Sequence, residues 1–155
     1  MAVFDYRQAQ EIRDAFAAHG VEYLFLGKSG AILLGYPDTT QDADVFVKKS
    51  AANGEAIVRA LRQIGFNMAV DKESEIVRGK DFVQLKDGPF DLDLIFAPDG
   101  IETFEDAWRR RVVTDGFNVC SIDDIIESKR AANRAKDRES LSRLESFRQY
   151  LKTLP

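Results

Sequence analysis

Apolar residues recur at helical spacing over residues 6–19, where Ile12 and Phe16 sit among alanines, and the pattern stops at Gly20. Asp5 stands where a helix N-cap belongs. Residues 22–26 are short and apolar, which predicts a buried strand. Residues 29–35 are apolar but too few for an independent helix, so a helix there must pack hard against the sheet. Tyr36-Pro37-Asp38-Thr39-Thr40 is turn chemistry, and the alternation over residues 42–48 predicts a strand. Residues 51–64 predict a second long helix ended by Gly65. Residues 66–96 carry several short strand signals, including a hairpin that turns at Lys86-Asp87-Gly88-Pro89. Residues 102–110 look helical, and residues 112–113 and 117–119 look like strand or sheet edge.

The C-terminal part begins at Ser121, three residues before Asp124, a capping-box-like entry to the apolar positions Ile122, Ile125 and Ile126. A last helix is expected over residues 137–151, with Leu141, Leu144, Phe147 and Leu151 forming a core stripe. The chain has no repeat, no low-complexity segment and no linker long enough to divide it. This order of elements predicts one α/β (α+β) domain over residues 1–155. It would have a mixed β-sheet flanked by helices over about residues 20–115 and a C-terminal helical element over about residues 121–152.

At 155 residues, 45% hydrophobic and 31% charged, such a domain can bury a core without disulfides or a structural metal. No run approaches the roughly 18 apolar residues of a membrane span, and the acidic N-terminal stretch is unlike a signal peptide, so a cytoplasmic protein without membrane partners is expected. Cys120 is alone, which excludes an intrachain disulfide and a cysteine-rich zinc site; it reads as a buried apolar residue. His19 is also alone, at a helix end where it suits the dipole, so chemistry needing paired histidines is excluded. The net charge of −4 is uneven. Residues 1–107 carry 11 Lys/Arg against 19 Asp/Glu, whereas residues 108–155 carry 11 against 7. The acidic excess argues against a protein that coats nucleic acid electrostatically, but it leaves room for a basic wall built from the last third.

Within this frame the chemistry-bearing segment is Leu26-Gly27-Lys28-Ser29-Gly30, followed by Gln41-Asp42-Ala43-Asp44-Val45. Side chains two apart on a strand share a face about 6.5–7 Å apart, so Asp42 and Asp44 point the same way. Asp91 and Asp93 repeat the pattern in Phe90-Asp91-Leu92-Asp93-Leu94. If the two strands pair, three or four carboxylates meet in one patch, which repels itself unless cations occupy it. Hard oxygen ligands without cysteine or histidine point to Mg²⁺ or Mn²⁺, and two such ions about 3.5–4 Å apart serve phosphoryl chemistry. Gly27 and Gly30 would let backbone approach phosphate, Ser29 would offer a hydroxyl and Lys28 a point charge, at the start of a helix.

The spacing resembles the nucleotidyltransferase superfamily that includes DNA polymerase beta and the minimal nucleotidyltransferases. Its signature is a Gly-Gly or Gly-Ser pair, a gap of about nine to thirteen residues, Asp-x-Asp or Asp-x-Glu, and a third acid on a later strand. Gly27, Gly30, Gly35, Thr40, Asp42 and Asp44 are most similar to the AbiEii-like enzymes of toxin–antitoxin systems. Leu92-Asp93-Leu94-Ile95, Phe104-Glu105-Asp106-Ala107-Trp108, Ile125-Ile126-Glu127-Ser128-Lys129 and Lys136-Asp137 extend the likeness to about residues 20–145. The resemblance implies Mg²⁺-dependent transfer of a nucleoside monophosphate from an NTP to a hydroxyl of tRNA, other RNA or protein, in a chain that pairs with a cognate antitoxin. Asp42, Asp44 and Asp93 would be catalytic metal ligands, with Asp93 helping to deprotonate the acceptor and Asp91 the alternative third ligand. Gly27, Lys28, Ser29, Gly30, Thr40 and Lys129 would bind nucleotide, and Lys136 and Asp137 would reach it or order the helices. Two positions depart from the pattern: Lys28 replaces the second Gly, and Asp38 replaces an Arg. A catalytically inactive nucleotide- or partner-binding protein of the same fold is the alternative. A glycosyltransferase or phosphatase using Asp-x-Asp fits the length and the loop less well.

Overall fold

Asp5 and Gln8 close a capping box over helix α1 (Tyr6–His19), and Gly20 ends that helix at φ 68°, where a side chain would be strained. The computed structural model describes residues 4–155, and from α1 the chain alternates between helices and a single sheet. Strand β1 (Tyr23–Leu26) runs straight into α2 (Gly27–Leu33), and a turn leads to β2 (Asp42–Val47). Helices α3 (Ala51–Gln63) and α4 (Val70–Arg78) precede the hairpin of β3 (Phe82–Leu85) and β4 (Asp91–Ile95). Then come α5 (Phe104–Arg109), a second hairpin of β5 (Val112–Thr114) and β6 (Phe117–Val119), and the C-terminal helices α6 (Ile122–Ala132) and α7 (Ala135–Thr153).

The strand order is β3-β4-β2-β1-β6-β5. β2 pairs parallel with β4 and antiparallel with β1, and β1 pairs parallel with β6, so the sheet is mixed as its sequence pattern predicts. Helix α4 is the departure. Residues 66–96 suggested strands in place of this helix, because Ile76 is its only buried residue and leaves little periodicity to read. The helix is set by its ends instead: Asp71 and Glu73 in its first turn and Gly79 in the left-handed conformation at its close. Gly54 lets α3 approach it so closely that a Cβ there would lie 2.7 Å from the Val77 Cα.

Period-two alternation divides the core into two layers. Ala43, Val45, Val47, Leu92 and Leu94 face α1, α3 and α4, where Phe16, Ile57 and Leu61 are fully buried. Leu24, Leu26 and Phe46 face the other way, onto Phe104, Ile125, Leu144 and Phe147 of α5, α6 and α7. Cys120 is buried there and its thiol is pushed far up by burial, as expected of an inert apolar residue. Leu144 and Phe147 are buried, with Leu141 and Leu151 packed beside them, so the predicted stripe on α7 is core. On this second face, β2 reads Asp42, Asp44, Phe46. The helices cover its apolar end and leave the acidic end to a cleft. Among the described residues no helix is long and apolar enough to cross a membrane.

Candidate active site

Register builds the site. Asp42 lies opposite Asp91 and Asp44 opposite Asp93 on the paired strands β2 and β4, while Leu26 lies opposite Asp44 on β1. The start of α2 and the acidic ends of β2 and β4 therefore meet at one end of the central strands. Asp93 is 8% exposed, and Asp44 is mostly buried beside it. Burial first, and then the Asp93 charge and hydrogen bond, push the Asp44 carboxyl up to about 7. Asp93 is also raised, by burial and then by Asp42. Asp44 and Asp93 share a hydrogen bond, and two carboxyls so close and so buried disfavour carrying two negative charges at once.

This differs from the expected convergence of three ligands. As the side chains lie, no group of three His, Cys, Asp or Glu among the described residues surrounds a common point. Asp91 shares the face by register, yet the cavity walls include Asp42, Asp44 and Asp93 and not Asp91. The donors Asp42, Asp44 and Asp93 are all oxygen, the ligand type a hard divalent cation takes.

Gly27 sits at φ 62°, and a Cβ there would fall on the Asp44 carboxylate, 3.1 Å from its Cγ. Its role is thus to let the acid approach the turn. Gly30 is also dictated by packing, since its Cβ would come within 3.0 Å of the Phe25 carbonyl oxygen. Ser29 corrects the sequence reading. Its hydroxyl is fully buried, donates to the Leu26 carbonyl at 2.9 Å and accepts from the Asp44 backbone N–H at 3.0 Å. With both functions used, it ties the β1–α2 turn to β2 and cannot reach phosphate. Thr40 stands at the cavity wall, its hydroxyl 3.4 Å from the Asp42 carbonyl.

The two departures from the family pattern answer each other. Lys28 reaches Asp38 at 3.5 Å, and Arg143 of α7 reaches the same carboxylate at 3.4 Å. The Thr39 N–H, with Lys28 and Arg143, holds Asp38 below the usual carboxylate range despite partial burial. Lys28 and Asp38 neutralise each other, so the two positions together are neutral where a Gly and an Arg would carry one positive charge.

Opposite the acids stands a cationic wall. Lys129 of α6 and Arg134 of the α6–α7 turn line two adjoining cavities, of about 340 and 240 Å³, together with Asp44. Lys28 and Lys136 line the smaller one. Asp137, fully buried, holds Lys129 at 3.5 Å and Arg134 at 2.6 Å. Burial would raise the Asp137 carboxyl, but the Arg134 hydrogen bond and the two cations outweigh it and hold it down. Lys129 is lowered by burial, partly countered by Asp137 and Asp44. Asp137 is therefore an ordering residue that aims two cations at the cleft. Sequence reading missed Arg134, Phe82 and Gln84. The last two were legible in principle, because Phe82-Val83-Gln84-Leu85 alternates and places both on the face of Asp93.

Neither a family model nor a curated protein matches the chain. Its fold is shared with the crystal structure of TM1012 from Thermotoga maritima, described as a putative nucleotidyltransferase. The TM-score is 0.51 at 14% identity, covering 96% of this chain and 92% of that one. At that identity the likeness bears on the fold, a nucleotidyltransferase-like mixed sheet with helices on both faces.

Proposed function

We propose that this chain is a nucleotidyltransferase that moves a nucleoside monophosphate from an NTP to a hydroxyl and releases pyrophosphate. The observation that carries this reading is the register that sets Asp44 against Asp93 beneath the Lys129–Arg134 wall. An acidic floor and a basic roof bordering cavities of about 340 and 240 Å³ suit a triphosphate that needs both cations and countercharge. Asp42, Asp44 and Asp93 would hold Mg²⁺ or Mn²⁺. When bound, such ions neutralise the phosphates and acidify the acceptor hydroxyl.

The residues of the chain supply the rest. Lys129 and Arg134, fixed by Asp137, meet the phosphate oxygens, and Lys28 and Lys136 extend that contact. Asp93 accepts the hydroxyl proton at a carboxylate oxygen. The acceptor oxygen bonds to the α-phosphorus as the bond from that phosphorus to the β-phosphate bridging oxygen breaks, and pyrophosphate carries away the leaving pair. An RNA or protein acceptor and a toxin–antitoxin partnership are proposed on the resemblance carried by the Gly27–Asp44 segment, and a cytoplasmic setting on the composition of the chain.

The test is to incubate the protein with Mg²⁺ and each α-labelled NTP in the presence of total RNA or a protein extract. Label transfer with stoichiometric pyrophosphate is expected, and Asp93→Asn should lower it at least 100-fold. Nucleotide binding without pyrophosphate or transfer would support the inactive alternative; metal-independent turnover would sink the reading.

A further inference from the structure

Phe82 is a large aromatic ring left 45% exposed on the edge strand β3. Register places it opposite Ile95, while its neighbour on the same face, Gln84, lies opposite Asp93. Phe82 is therefore the diagonal cross-strand neighbour of Asp93, about 7–8 Å away, with Asp44 one strand further on. It lines both cavities, and in the larger one apolar Ile95, Pro98, Ile125 and Ala132 share the lining with charged Asp81, Asp99, Lys129 and Arg134. Apolar side chains and an exposed ring in the same recess as two cations match the two ends of a nucleotide.

We propose that Phe82 is the stacking platform for the nucleobase of the bound NTP, with the 340 Å³ cavity as the base subsite. This deepens the nucleotidyl-transfer reading and rests on it. A flat ring in an apolar recess gains by covering either face of any base, so the platform binds the base without choosing it. Phe82 is half in solvent and packs little of the core, so its truncation leaves the fold intact.

The experiment is a calorimetric titration of wild type, Phe82→Ala and Phe82→Tyr with Mg²⁺-ATP, GTP, CTP and UTP, and with Mg²⁺-tripolyphosphate, alongside a melting curve. The expected result is binding of all four NTPs roughly tenfold weaker in Phe82→Ala, near wild type in Phe82→Tyr, with tripolyphosphate affinity and melting temperature unchanged. Unchanged NTP binding in Phe82→Ala overturns the platform alone. Equal weakening of tripolyphosphate also overturns it, because the loss would then lie at the phosphates. A wild-type protein that binds no NTP overturns the platform together with the proposed function.

Discussion

Gly27 and Gly20 make a matched pair at the scale of single residues. Both are left-handed, at φ 62° and 68°, yet a Cβ on Gly20 meets nothing within 4 Å while one on Gly27 meets the Asp44 carboxylate. Gly20→Ala should cost only the conformational strain, about 1 kcal/mol, and leave activity untouched. Gly27→Ala should cost the same strain and in addition displace Asp44, lowering pyrophosphate release by more than tenfold. Melting curves and turnover of the two variants together separate backbone strain from the close approach. Sequence spacing pointed to Gly27 as a phosphate-loop glycine; the fold assigns it to the acid instead. Ser29 went the same way, because a side-chain hydroxyl between a strand and a helix looks alike in sequence whether it faces ligand or backbone.

Among the elements, the junction of α6 and α7 decides the cationic wall. Lys129 closes one helix and Arg134 caps the next, and both depend on Asp137, which is fully buried. Lys129 is 13% exposed, so losing its counter-charge strands a buried ammonium. Asp137→Ala should destabilise the protein by about 3 kcal/mol, measured by urea unfolding, and raise the KM for NTP, because both cations lose their aim. Lys129→Met in the same background should recover part of the stability and none of the nucleotide binding. The helices themselves were readable from their ends and stripes, at Ser121 and at Leu144 and Phe147. α4 was not, because a helix with a single buried residue has almost no apolar period to detect.

Across the whole molecule, an acidic sheet domain faces a basic C-terminal pair of helices, and the cleft lies where they meet. The site works against stability when no cation is present. Burial and Asp93 push the Asp44 carboxyl up to about 7 in the folded protein, whereas a solvated aspartate in the unfolded chain ionises near 3.8. The folded state therefore holds the extra proton between those values, and this group's contribution falls as pH rises from about 4 to about 7. Metal-free protein should accordingly lose melting temperature over that window, Asp44→Asn should flatten the loss while abolishing transfer, and Mg²⁺ should restore stability at pH 8. Calorimetry with and without chelator checks all three.

The sequence by itself determined the order of helices and strands apart from α4, the two-faced strand carrying Asp42 and Asp44, its echo at Asp91 and Asp93, and the apolar faces that bury the sheet. These are local: period, caps and turn residues act within a few positions of one another. Tertiary structure decided what depends on register across strands and on which groups are enclosed. It set Asp93 against Asp44, consumed the Ser29 hydroxyl, matched Lys28 to Asp38 and brought Asp137 behind Lys129 and Arg134. Hydrogen bonds and charge pairs between distant segments form only once packing has excluded water, and no local pattern in the chain records their partners.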